Sequence, residues 1–179
     1  MRTLGEAWRW YESATRSIGW MQRLGRKHWS GIPWESSSIG RDADLNTLDE
    51  PDIESATSDA LAPIHDLAVA VLFSVFESLM REHVLGGMQA EAGALTDPIL
   101  KDAAEDAMRG VDEGSFYRRV LEPLRLQGKL PADLVTEVNQ VRQYRNWVSH
   151  GRRGIPANNV TPGMARERLQ ACLQALGVP

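Results

Sequence analysis

Residues 58–85 read SDALAPIHDLAVAVLFSVFESLMREHVL, and this stretch decides the fold. Leu61, Ile64, Ala68, Val71, Val75 and Leu79 recur at three- and four-residue steps and form one apolar stripe on a helix. Val69, Phe73, Phe76, Met80 and Val84 form a second stripe on the opposite side. A strand would alternate apolar and polar residues by twos, and no such run is found here or elsewhere in the chain. The pattern therefore predicts a helix from about Ser58 to Leu85, with Pro63 in its first turns and Gly86-Gly87 ending it. A helix that is apolar on two faces sits at the centre of a bundle or serves both a core and a subunit interface. A homodimer is expected in which this helix or its neighbour contributes to the interface, with the second stripe as a candidate surface; the alternative is that a single bundle buries both stripes internally.

Working outward, the same periodicity predicts an all-α chain. A first helix is expected over 3–23, where Leu4, Ala7, Trp8, Tyr11, Thr15, Ile18 and Met21 make a partly aromatic stripe. Residues 25–54 hold Gly31-Ile32-Pro33, three consecutive serines and most of an acidic run, and read as a long irregular connection. Further helices are expected over 97–109, 113–126 (with Pro123 inside), 131–150 and 161–176. The last is announced by Thr161-Pro162, an N-cap residue followed by proline at the first helical position. The reading is an up-and-down bundle of about five to six helices over 58–179, preceded over 1–57 by an N-terminal helix and an irregular acidic connection.

Composition narrows the function classes. With 42% apolar and 25% charged residues, the 179-residue chain can bury a core and is not a disordered or fibrous sequence. A single cysteine, Cys172, excludes a disulfide framework, and the four histidines lack zinc or di-iron ligand spacing, so no metal or other cofactor is expected. The longest apolar run, Leu67 to Phe76, spans ten residues, and the N-terminus lacks a signal-peptide core, so a cytoplasmic chain without membrane contact is expected. The net charge of −4 is unevenly spread. Residues 141–168 set six arginines against Glu167 alone, whereas residues 41–59 set seven acids against Arg41 alone. Such runs are often only solvated surface.

The basic region contains the informative segment, Val141-Arg142-Gln143-Tyr144-Arg145-Asn146-Trp147-Val148-Ser149-His150-Gly151-Arg152. Leu134, Val138, Val141 and Val148 form an apolar stripe, and Arg145 falls in its middle. A guanidinium on a buried face must find an anion, either a carboxylate of its own protein, with Glu77 a candidate, or a phosphate of a ligand. Asn146 and His150 share one side, rotated roughly 100 to 140° from Arg145 by the helical period. From spacing alone the set reads first as a structural Arg–Glu pair with a histidine at the helix C-terminus.

Arg145-Asn146-Trp147, His150 and Gly151 resemble the RxxxxH signature of the HEPN superfamily (higher eukaryotes and prokaryotes nucleotide-binding). The stretch Ser74-Val75-Phe76-Glu77-Ser78-Leu79-Met80-Arg81 resembles that family's F-E helix. The likeness covers roughly residues 58–176. It implies a helical bundle that dimerises so that two RxxxxH segments line one cleft, as a metal-independent endoribonuclease. Arg145, Asn146 and His150 would be catalytic, Glu77 supporting, and Arg142, Arg152 and Arg153 would contact RNA. It further implies a toxin or defence effector with an antitoxin or other defence-system partner protein. Gly151-Arg152 stand where one branch of the family carries a modified tyrosine two residues after the histidine, so that mode of control is not expected. The alternative within the family is a catalytically silent dimer that binds nucleotide, RNA or protein.

Other conspicuous residues have plainer readings. Trp8, Trp10, Trp20, Trp29, Trp34 and Trp147 are expected mainly in packing rather than in base stacking. His28, His65 and His83 read as structural or exposed, and Cys172 as a small buried hydrophobe.

Overall fold

A computed structural model describes residues 1–33, 42, 47–156 and 158–178. Trp34, Arg41, the three consecutive serines at 36–38 and one acid of the acidic run, Asp44, lie outside the described residues. Among those described the chain is all-α: α1 Leu4–His28, a 3₁₀ turn at Trp29–Gly31, α2 Glu50–Gly93, α3 Pro98–Glu113, α4 Glu122–Leu126, α5 Ala132–Ser149 and α6 Pro162–Ala175. A π-helical turn, Tyr117–Leu121, leads directly into α4. The chain divides into two compact units, Met1–Trp8 with Ala68–Pro179 and, separately, Arg9–Leu67.

The larger unit holds the core that positions the candidate residues. Val69, Leu72, Phe73, Phe76 and Met80 of α2 are wholly buried there, with Leu121, Val138, Val141, Leu169 and Cys172 from the later elements. Phe73, Phe76 and Phe116 form an aromatic triangle with centroids 5.7–5.9 Å apart, the two contacts to Phe116 edge-to-face. This corrects the expectation that the second stripe of α2 reaches an interface. Val69, Phe73, Phe76 and Met80 are consumed by the intramolecular core, and the residues of α2 left half-exposed include Leu61, Ile64, Val71 and Leu79 of the first stripe.

Helix boundaries also differ from the sequence expectation. Helix α2 begins at Glu50, eight residues before Ser58, because Asp49 and Asp52 form a reciprocal cap. Each backbone N–H donates to the other's carboxylate, at 3.0 and 2.9 Å. Pro63 therefore lies in the helix interior rather than its first turns, where it deprives the Asp59 carbonyl of a donor. Gly86-Gly87 do not end the helix. Their penalty of about 1 kcal/mol each is outweighed where Val84, Leu85 and Met88 pack against the core on either side of them. At 44 residues α2 is long and apolar enough to cross a membrane by length and composition, which the ten-residue run did not indicate, while its Val69–Met80 face packs inside the protein.

Helix α3 is capped by Asp97, whose Oδ1 accepts from the N–H groups of Ile99 and Leu100 at 2.7 and 3.3 Å. It continues past Arg109 to Glu113, and the next helix starts correspondingly later. The π turn has a local cause. Pro123 has no N–H and its ring crowds the carbonyl four residues back, and Glu122 N–H donates instead to the carbonyl of Tyr117 five residues back. Thr161 caps α6 as its sequence suggests, accepting from Met164 N–H at 3.2 Å, with Pro162 next.

In the smaller unit the last turns of α1 cross the start of α2. A methyl group added at Gly25 would stand 3.0 Å from Ile53 Cγ2, so this crossing tolerates little more than hydrogen. It explains why α1 runs on past Arg23 to His28. The contact buries Ile53, and Arg26 pairs with Glu54 beside it. Tyr11 packs edge-on to His65 at 5.8 Å, and burial raises the Tyr11 hydroxyl above its ordinary pKa.

Candidate functional site

Helix α5 carries the site because its buried ladder runs in three-residue steps: Val135, Val138, Val141, Tyr144. Steps of three fall short of a full turn, so the ladder drifts around the helix and reaches Tyr144 and half-buried Trp147. The expected stripe through Leu134 and Val148 is half-buried instead, and Arg145 lies at the edge of the buried face rather than in its middle. Its side chain retains 29% exposure.

Arg145 has the intramolecular carboxylate that its position demanded. Nη2 donates to Glu77 Oε2 at 3.0 Å, Nη1 donates to Asn146 Oδ1 at 3.2 Å, and the guanidinium stands 5.2 Å from the centroid of the Phe73 ring. The other Glu77 oxygen, Oε1, accepts from Arg81 Nη2 at 2.6 Å and Nε at 3.2 Å. Arg81 is held in turn by the carbonyls of Val111 and Gly114 (the latter at 3.0 Å) and lies 5.6 Å from the Phe116 ring centroid. The side chains of Arg81 and Glu77 keep 16% and 19% exposure. One carboxylate thus divides its oxygens between two guanidinium groups, leaving an excess of one positive charge on a largely shielded cluster. Arg81 was missed in the sequence. Its signal was the four-residue spacing from Glu77 on a face otherwise filled by phenylalanines.

His150 is arranged differently. It is the C-cap of α5, exposed, and its ring makes no hydrogen bond or ion pair among the described residues. The backbone around it is firmly set. Gly151 turns left-handed at φ 75°, its N–H donates to the Val148 carbonyl at 3.1 Å, and Arg152 N–H donates to the Trp147 carbonyl at 3.0 Å. This is a Schellman closure, which needs the positive φ that glycine supplies. The loop beyond is tied at two points, by Trp147 Nε1 donating to the Gly154 carbonyl at 2.9 Å and by Asn158 Nδ2 donating to Gln143 Oε1 at 2.8 Å.

The structure therefore brings Arg145, Asn146 and Glu77 together with Arg81 and leaves His150 five residues on, at the helix end. Arg152, with φ 57°, and Arg153 are exposed in the following loop. Arg142 is committed elsewhere. Its Nε donates to Asn139 at 2.9 Å, and it lies 5.7 Å from the Tyr117 ring centroid. The Tyr117 hydroxyl donates to Glu122, whose carboxyl is held below its ordinary pKa chiefly by hydrogen bonds from Arg125. Among the described residues no group of three or more His, Cys, Asp or Glu side chains could hold a metal ion. Searched against protein families, curated proteins and solved structures, the chain finds no match.

Proposed function

We propose that this protein is an RNA-cleaving enzyme of the HEPN type, acting as a homodimer in which two Arg145–His150 segments form one site. The observation that carries the reading is the contrast within that segment. An arginine is held by a carboxylate yet left with a net positive cluster, and an unpaired histidine follows it on a fixed helix end above an arginine-bearing loop.

The chemistry follows from those groups. A phosphodiester of RNA placed against Arg145 gains a bidentate donor for its non-bridging oxygens, and that donor stabilises the charge that grows as phosphorus becomes five-coordinate. His150 takes the proton of the ribose 2′-OH as O2′ bonds to phosphorus. The bond from phosphorus to O5′ breaks, and the leaving oxygen takes a proton from the second copy's imidazolium. The products are a 2′,3′-cyclic phosphate and a 5′-hydroxyl, and DNA, which has no 2′-OH, is inert. Five helical residues separate Arg145 from His150 by about 140° around the axis, so a two-fold pairing of chains is the arrangement that aims both at one phosphate. Asn146 fixes the guanidinium plane, Glu77 and Arg81 fix its position, and Arg152 and Arg153 engage flanking phosphates.

The test is cleavage of single-stranded RNA in EDTA with end-group analysis. Wild type is expected to leave 2′,3′-cyclic phosphates, and Arg145→Ala and His150→Ala are each expected to lose about a hundredfold or more. Mixing the two inactive chains restores part of the activity if each site draws on both. Equal cleavage by wild type and His150→Ala, or an active monomer by light scattering, overturns the reading. In a toxin or defence setting the activity is restrained by a partner protein, and expression of wild type, but not of His150→Ala, arrests growth.

A further inference from the structure

The larger unit contains a groove of about 1010 Å³ that the proposed RNA site does not use. One wall is the C-terminal part of α2, including Glu82, His83, Gly86, Gly87 and Met88. Ala104, Ala107 and Val111 of α3 line it as well, and the remaining wall is the π turn, α4 and the chain after it. Its size is at the upper end of the ~300–1,000 Å³ typical of pockets for small organic ligands.

Three features of this groove specify a ligand. First, its apolar lining is aliphatic: Met88, Leu95, Val111, Val120 and Leu124 are present, but no Phe, Tyr or Trp that could stack a nucleobase. Second, Gly86 and Gly87 bare the backbone of α2 where it lines the groove. Two glycines in a helix interior cost about 1 kcal/mol each, and a methyl group added at either would meet nothing within 4 Å, so no neighbouring element of the chain requires their smallness. Third, Arg118 and Arg119 of the π turn and Lys129 after α4 line the groove, and their side chains make no ion pair or hydrogen bond among the described residues. Arg119 is nonetheless placed. Its guanidinium passes over Gly110, where an added methyl group would lie 3.7 Å from Cζ, and its stem covers Gly114. The acids of the groove, Glu82 and Glu91, stand on α2, and Glu82 accepts from Ser78 at 3.1 Å.

We infer that this groove binds an amphipathic anion, an aliphatic chain laid along the glycine-bared wall of α2 with its carboxylate or phosphate head on Arg118 and Arg119. Apolar burial supplies most of the affinity, and the unpaired cations, already exposed and so needing little desolvation, select the sign of the head group. The inference is independent of the proposed ribonuclease activity.

The experiment is displacement of an environment-sensitive fluorescent fatty acid from the full chain, at amphiphile concentrations below micelle formation. Dodecanoate and dodecyl phosphate are expected to compete, with their ranking identifying the preferred head. Dodecanol and dodecyltrimethylammonium are expected to compete at least about tenfold more weakly, about 1.4 kcal/mol in binding free energy, and AMP not at all. Gly87→Leu fills the groove at a position where helix propensity improves and is expected to lower dodecanoate affinity about tenfold with circular dichroism unchanged. Arg118→Glu with Arg119→Glu is expected to erase the preference for anions while leaving dodecanol binding in place. Equal competition by the cationic amphiphile, competition by AMP, or undiminished binding by a folded Gly87→Leu chain each overturns the inference.

Discussion

Arg145 and His150 lie five residues apart on one helix, yet the fold treats them oppositely. Arg145 is fastened by Glu77, Asn146 and the Phe73 ring, and through Glu77 to Arg81 and the end of α3. His150 is fastened only by its backbone, and its ring is presented to solvent. The difference separates two ways in which a fold can hold a polar side chain. A permanently charged group in a partly dry place must be held by an opposite charge. His150 instead stands open to solvent on a backbone set by the Schellman closure at Gly151 and Arg152.

The largest expected effect breaks the fastened end. Glu77→Ala leaves two guanidinium groups facing each other without their carboxylate and is expected to destabilise the fold by about 2–3 kcal/mol in urea unfolding. This is less than the roughly 3–5 kcal/mol for wholly buried pairs, because all three side chains keep some solvent contact. Arg81→Ala in the Glu77→Ala background should add less than it costs alone, since both remove one network. Full additivity would show that the cluster does not act as a unit.

The packing of α6, which shares its core with α5, can be followed through Cys172. It is fully buried, and burial pushes its thiol pKa up to about 12 from 9.0. The neutral thiol is favoured in the folded chain, so stability is fully present below pH 9 and falls as the pH rises from there toward 12, where the unfolded chain has already released the proton. Alkylation by iodoacetamide at pH 8 is expected to be negligible in the native protein and fast in denaturant. Rapid native labelling would mean that the α5–α6 contact opens readily and that the fastened end is looser than its bonds suggest.

The smallest effect concerns the free end. His150→Ala removes no partnered side-chain atom and is expected to change stability by no more than about 0.5 kcal/mol, whatever it does to activity. A large destabilisation would show that the imidazole is a structural cap and would sharpen the case for a binding role over a catalytic one.

How much of this was legible in the sequence depends on how far each feature reaches along the chain. The all-α class, the Thr161-Pro162 start of α6, the buried Cys172 and the demand of Arg145 for an anion follow from neighbours within a turn or two, where the helical period and side-chain chemistry leave few options. Glu77 was identifiable because a charge beside a two-faced apolar helix must also be paired. The start of α2 at Asp49–Asp52 was hidden because its cap lies inside an acidic, proline-bearing stretch that reads as loop. The persistence of α2 through Gly86-Gly87 was hidden because local propensity opposes it and only packing decides it.

By itself, then, the sequence determined an all-helical chain with two apolar faces on its longest helix and an Arg–His segment at the end of another, because periodicity and charge are local properties. Only the tertiary structure decided that the second face of α2 is core rather than interface, that Arg81 joins Glu77 and Arg145, and that Arg142 turns to Tyr117. Those outcomes depend on which distant residues occupy the same few ångströms, such as Phe116 against Phe73 and Phe76 or the Val111 and Gly114 carbonyls on Arg81, and no periodicity within one helix encodes such pairings.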